Sequence, residues 1–151
     1  MQLNRRTSRE IVMKALYALE ISNDSLEHIL ETIIKPVLKK EKKLLEFSES
    51  LFLKTVRDTK VLDEIIIKYL DNWDFKRVAI IDKSILRMAL CELTNYEDIP
   101  TKVTINEAIE IAKLYSTDQS GRFINGILDA ATEEMKKSGE IKKTGAGLID
   151  K

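Results

Sequence analysis

Asp82-Lys83-Ser84-Ile85-Leu86-Arg87-Met88-Ala89-Leu90-Cys91-Glu92-Leu93 lies at the heart of the stretch from Arg77 to Asp129 whose reading decides the fold. Val78, Ile81, Ile85, Met88, Ala89 and Leu93 recur at steps of three and four, with Asp82, Lys83, Arg87 and Glu92 in the gaps, which is the period of an amphipathic helix. Pro100 forces the residue before it out of helical dihedrals, so this helix is expected to stop near Tyr96, leaving residues 97–103 as a connector. Thr104-Ile105-Asn106-Glu107 has the spacing of a capping box and predicts that the next helix opens at Thr104, with Ala108, Ile109, Ala112 and Tyr115 as its apolar stripe. Thr117 to Ser120 breaks that stripe. Gly121-Arg122-Phe123-Ile124-Asn125-Gly126-Ile127-Leu128-Asp129 then begins a last helix with Phe123, Ile127 and Ala131 on one face, joined by Ile124, Leu128 and Met135. Gly126 costs roughly 1 kcal/mol against alanine inside a helix, so its position predicts a close approach of another helix backbone.

Working outward, the rest of the chain repeats the same period. Its 151 residues suffice for one compact unit or two small bundles. Five glycines and two prolines leave little turn chemistry, and Leu, Ile, Lys and Glu dominate, so the fold class is all-α, a monomeric unit of about seven helices in two packed bundles. The bundles are expected over about 1–71 and 72–137, split near Asn72 to Phe75, with 138–151 as a fraying polar tail. Thr7 or Ser8 is placed to cap a first helix reaching about Ile21, with Ile11, Val12, Ala15, Leu16 and Leu19 buried. Ser22 to Ser25 reads as a turn. Leu26, Ile29, Leu30, Ile33 and Ile34 form a second helix that Pro36 either kinks or restarts. Phe47, Leu51, Thr55, Leu62, Ile65, Ile66 and Tyr69 sustain a long third helix to about Leu70. Trp73 reads as a core or inter-bundle packing residue rather than a stacking platform.

Charge excludes more than it assigns. Twenty-five basic and 25 acidic side chains cancel, so any basic site has to be local. The lysines at 35, 39, 40, 42 and 43 read as a solvated face. At the start of the first helix, Arg5, Arg6 and Arg9 meet the positive end of the helix dipole with only Glu10 to offset them, an arrangement that opposes local stability by a few tenths of a kcal/mol per charge. Two readings stand from the residues alone: a solvated basic terminus, or a segment that meets phosphate. The single cysteine, Cys91, sits among apolar helix residues and reads as a small buried hydrophobe, which with the polar N-terminus and the lack of any long apolar run points to the cytoplasm.

Residues for catalysis are missing. The sole histidine, His28, has no second ligand at metal spacing and reads as surface. Glu107 and Glu110 could share a face, yet the capping box already occupies Glu107. There is no dinucleotide or Walker glycine pattern, no paired-histidine zinc motif and no serine elbow, so neither a cofactor nor an enzymatic activity is expected.

Three ordered blocks carry a family resemblance: Asp82 to Leu93; Ile99-Pro100 followed by Val103-Thr104-Ile105-Asn106-Glu107-Ala108-Ile109-Glu110-Ile111-Ala112-Lys113; and Gly121 to Asp129. With their gaps, they resemble the NusB family of transcription antitermination factors, whereas residues 22–46 resemble nothing specific. The resemblance implies an RNA-binding adaptor that holds boxA-type single-stranded RNA together with a small-subunit ribosomal protein, NusE, supports ribosomal RNA transcription, and joins an antitermination complex on RNA polymerase. It implies RNA contacts at Arg5, Arg6 and Arg9, where the family carries an arginine-rich segment, and at Lys113, Arg122 and Phe123. From the residues alone Phe123 is equally a core aromatic. For the protein partner the resemblance falls on Tyr17, Asp82 and Arg87, with Asp82 expected to face outward. The chain departs from a run of three arginines by placing Thr7 and Ser8 before Arg9. The alternative function is a helical protein-interaction module of the same fold without RNA binding. The fold also occurs fused to RNA methyltransferases, but such an enzyme needs a further domain with a glycine-rich nucleotide turn, which no stretch up to Lys151 supplies.

Overall fold

A computed structural model describes residues 2–71 and 74–149, and among them every regular element is helical. The chain divides into two compact units, Met1–Arg57 and Asp58–Lys151. The boundary lies ahead of the expected one near Asn72 to Phe75 because the expected third helix is two helices. Helix α4 (Lys42–Arg57) ends where Asp58 leaves helical geometry at φ −100°, ψ 12°, and α5 (Thr59–Lys68) starts anew. Asn72 and Trp73, with the packing role expected of the tryptophan, lie outside the described residues.

In the first unit, α1 (Arg5–Ser22) is capped by Asn4, ahead of the Thr7 or Ser8 expected. Asn4 accepts from the Thr7 amide at 3.1 Å while the Thr7 hydroxyl accepts from the Asn4 amide at 3.2 Å, so two orphan donors of the first turn are satisfied reciprocally. Ile11, Val12, Ala15 and Leu16 form its buried stripe, and α4 supplies Phe47, Leu51 and Phe52 to the same core. The second helical stretch stays helical through Pro36. It runs as α2 (Leu26–Ile29), a π turn over Leu30–Ile34 and α3 (Lys35–Leu38), with Lys35 N–H donating to Leu30. A proline collides with the carbonyl four residues back and lacks its own N–H; a wider turn just ahead of it accommodates both defects without ending the helix. Lys39, Lys40, Lys42 and Lys43 are exposed, as a solvated face requires.

The second unit is organised around α6 (Ile80–Asn95). Every residue from Asp82 to Leu93 is buried, and α5, α7 (Thr101–Tyr115) and α8 (Asp118–Ser138) pack against it, with α7 and α8 also packed on each other. The helix stops at Tyr96, as Pro100 demands. Cys91 is a fully buried free thiol.

Three expectations are corrected here. Helix α7 opens at Thr101, directly after Pro100, because a proline restricts the residue before it and pre-sets the helical start after it. Thr104 therefore lies inside the helix, 2% exposed, and its hydroxyl donates to the buried Glu92 carboxylate on α6 rather than capping. Gly126 is exposed, and a Cβ built there meets nothing within 4 Å, so no helix crosses at it. The α7 contact falls instead at buried Gly121, whose Cβ would lie 3.5 Å from Lys113 Cγ and 3.6 Å from Ile109 Cγ2. The tail also folds back through residue 149. Gly139 closes α8 at φ 82°, Ile141 is buried, Lys143 Nζ donates to the Tyr96 carbonyl at 2.7 Å, and the Thr144 amide donates to the Glu97 carbonyl at 3.0 Å. Among the described residues no helix is long and apolar enough to cross a membrane.

Candidate nucleic-acid interface

The residues singled out in the sequence fall in both units, and each unit carries its own group. In the first, the start of α1 has no acidic residue in its first turn, so its cations stand at the positive end of the helix dipole. Arg5 is exposed and holds its guanidinium 4.3 Å from the Phe47 ring centroid, an arrangement that fixes the plane of the fork while leaving its edge toward water. Arg6 is exposed as well. Arg9 differs: it is 4% exposed, with its guanidinium 5.6 Å from the same ring. Arg9 is thus enclosed where Arg5 and Arg6 stand open to solvent. Tyr17 is half-buried on α1.

In the second unit, Lys113 on α7 and Arg122 on α8 are both exposed and line one depression of about 400 Å³ with Asp118, Gly121 and Asn125. Gly121 brings the two helices into ordinary van der Waals contact there, which sets the spacing between the two cations' backbones. Phe123, next in sequence to Arg122, is half-buried and lines two further depressions. One, of about 410 Å³, also contains Arg122, Gly126, Tyr69 and Lys68; the other, of about 310 Å³, contains Asp82, Arg77, Val78, Ala79 and Ser120. Shared residues make the three depressions consecutive around the N-terminal half of α8. Beside the second of them, Lys68 Nζ and Tyr69 Oη both donate to the Glu134 carboxylate. The hydrogen bonds from Lys68 and Tyr69 hold the Glu134 carboxyl below its ordinary range, and the bond to Glu134 raises both Lys68 and Tyr69.

Two residues expected on an outward protein-binding surface are turned inward. Asp82 is 7% exposed, and its Oδ2 accepts from Ser120 Oγ at 2.9 Å. Ser120 is held in turn by the α8 cap, its amide donating to Thr117 Oγ1 at 3.0 Å. Arg87 forms a bidentate pair with Asp63 of α5, Nε to Oδ1 at 2.6 Å and Nη2 to Oδ2 at 3.0 Å, and so joins α5 to α6. The sequence carried a signal that charges on this helix are buried, but not one that identified their partners. With Ser84, Leu86, Leu90 and Cys91 counted beside the stripe residues, α6 is nonpolar or small on every side, and such a helix buries its few charges. Asp63 and the Ser116-Thr117-Ser120 hydroxyls carried no pattern that would have paired them with α6. Among the described residues no group of three His, Cys, Asp or Glu side chains could hold a metal ion.

The NusB family model matches residues 6–133. The transcription antitermination protein NusB of Salinibacter ruber is 45% identical over 146 residues, covering 97% of this chain and 91% of that protein. Among solved structures, NusB of T. maritima superimposes with a TM-score of 0.83 at 38% identity, covering 93% of this chain and 98% of that one. A crystal structure of the antitermination factors NusB and NusE in complex with double-stranded RNA gives a TM-score of 0.79 at 22% identity, covering 86% and 96% of the respective chains, a likeness of fold.

Proposed function

Because this chain belongs to the NusB family, we propose that it is an RNA-binding adaptor of transcription antitermination, a binding protein of the cytoplasm and not a catalyst. It holds boxA-type single-stranded RNA together with the small-subunit ribosomal protein NusE and serves ribosomal RNA transcription within the complex on RNA polymerase. The observation that carries this reading is the clustering of exposed Lys113 and Arg122 with half-buried Phe123 around the N-terminal half of α8. Cations on phosphates and an aromatic face under an unstacked base are what a single strand needs, and no enclosed catalytic pocket is required. Arg5 and Arg6 supply the phosphate contacts of the first unit. Arg9 acts on them as a positioning residue, since Phe47 contacts both Arg5 and Arg9. Tyr17 belongs to the protein-partner surface. Arg87 serves that surface indirectly by holding α5 on α6, and Asp82 is withdrawn from it.

Anisotropy of labelled boxA-type RNA, titrated with this chain alone and with NusE at saturation, tests the reading. Tighter binding in the presence of NusE is expected. Equal, weak binding in both arms and no complex with NusE would leave a helical interaction module without RNA function.

A further inference from the structure

Gly126 stands inside α8 with no packing reason to be glycine. It is exposed, and a Cβ built there meets nothing within 4 Å, although glycine inside a helix weakens it relative to alanine. Its effect is to keep helix backbone bare in the lining of the depression of about 410 Å³. Two half-buried aromatics line the same depression, Phe123 from α8 and Tyr69 from the end of α5, together with Arg122 and Lys68. Residues three and four apart share one face of a helix, so Arg122, Phe123 and Gly126 present a cation, a ring and bare backbone side by side. Across from them, Tyr69 Oη and Lys68 Nζ both donate to the Glu134 carboxylate, which pins that wall and offsets the lysine charge. Arg122 is exposed, and it also lines the adjoining depression that holds Lys113. In a single strand each base hangs beside its own phosphate, so a cation-lined hollow and an aromatic-lined hollow that share Arg122 match the two parts of one nucleotide. An apolar side chain of a protein would fill the second hollow but would bring no anion to Arg122.

We infer that this depression is a stacking subsite for one unstacked base of the bound strand, with its ring over the bare backbone at Gly126 and Phe123 and Tyr69 as walls, and that glycine is kept there, at a cost in stability, because a Cβ would stand where the ring does. The inference rests on the RNA-binding reading and deepens it from phosphate contact to a seat for a base. Stacking uses the π-face that every base has, and backbone inside a helix has its N–H and C=O engaged with the helix itself. The subsite therefore holds any of the four bases without choosing among them.

The test uses the full chain with NusE saturating, as wild type, Gly126→Ala and Gly126→Leu. Alanine and leucine are better helix formers than glycine, so weaker RNA binding by these variants is not a consequence of unfolding, and urea unfolding of each checks this. Affinity is measured for boxA-type RNA and for a set of derivatives that each lack the base at one position. In wild type, one of those positions should cost about tenfold, the scale of one base stacked on an aromatic side chain. Gly126→Leu should bind the intact strand about tenfold more weakly than wild type and lose nothing further at that same position, while every other position costs what it costs wild type; Gly126→Ala should fall between the two. Full affinity of both variants for the intact strand would overturn the subsite and leave the RNA-binding reading standing. A loss by Gly126→Leu that adds equally to every position would show that no base sits there, and would overturn it too. Destabilisation by Gly126→Ala would mean that the face is already packed, with the same result. Absence of RNA binding by wild type would overturn both readings. Weaker binding of NusE by the variants in calorimetry, with RNA affinity unchanged, would assign the hollow to the protein partner and overturn the inference.

Discussion

Replacing Gly126 by alanine should stabilise the protein, and the reasoning is quantitative. Gly126 lies in the interior of α8, a 21-residue helix whose buried stripe is Ile124, Ile127, Leu128, Ala131 and Met135, on the side away from it. A Cβ there meets no atom within 4 Å, so overpacking contributes nothing. What remains is the backbone entropy that glycine loses on entering a helix, about 1 kcal/mol relative to alanine, which for a chain of this size raises the melting temperature by about 3 °C. Gly147→Ala is the control of opposite sign. Its Cβ would stand 2.0 Å from the Glu97 carbonyl oxygen, which already accepts the Thr144 amide, so the tail must shift at a cost of roughly 1–3 kcal/mol. Urea unfolding followed by far-UV circular dichroism reads both changes as midpoint shifts at constant slope. Destabilisation by Gly126→Ala would mean that another element packs on that face, and the account of α8 would be wrong.

Asp63→Ala strands the Arg87 guanidinium, 9% exposed, without its carboxylate, and should cost about 3 kcal/mol in the same assay, far more than an exposed ion pair would. Thr104→Val removes the donor to the buried Glu92 carboxylate and should cost roughly 1–3 kcal/mol; a neutral result would show that Glu92 is satisfied without it. The Lys68–Glu134 tie has a defined pH window. Glu134 is depressed, so its contribution is fully present above the ordinary value of 4.5 and is lost as pH falls through the folded value; Lys68 is raised, so its contribution is present below 10.5 and is lost as pH rises through its folded value. Carboxyl titration by nuclear magnetic resonance should place Glu134 below 4.5 in wild type and closer to it in Lys68→Ala, and an unmoved Glu134 would contradict the tie.

Helix period made most of this fold legible. The stripes of α1, α6 and α8 are mostly buried where steps of three and four placed them, with Leu19, Ile81 and Phe123 only half-buried, and Pro100 marked the end of α6. Breaks set by single backbone dihedrals were not legible: Asp58 divides two helices inside an unbroken apolar pattern, and the π turn before Pro36 preserves a helix that a proline should end. Tertiary pairing also overrode two local signals. Thr104-x-x-Glu107 is a capping pattern, but the threonine is needed at Glu92; Gly126 satisfies no packing demand at all, while the position where two helices do meet is Gly121. For the site, residue types were readable and the partners that enclose them were not. Arg5, Arg6, Lys113 and Arg122 stand exposed, whereas Arg9, Asp82 and Arg87 are enclosed by partners far away in sequence, a fact that one strand of text does not encode.

The most direct test of RNA binding by these cations is the salt dependence of affinity. Each phosphate of a single strand that a cation neutralises contributes about 0.7 to the slope of log affinity against log salt. With NusE saturating, the variant carrying Arg5→Ala, Arg6→Ala, Lys113→Ala and Arg122→Ala should bind boxA-type RNA with a slope flatter than wild type by about 3, and should weaken on unrelated sequences by similar factors, because phosphate contacts carry no sequence information. Its unfolding curve should match wild type, since all four side chains are exposed. Parallel salt slopes for wild type and variant would contradict the account.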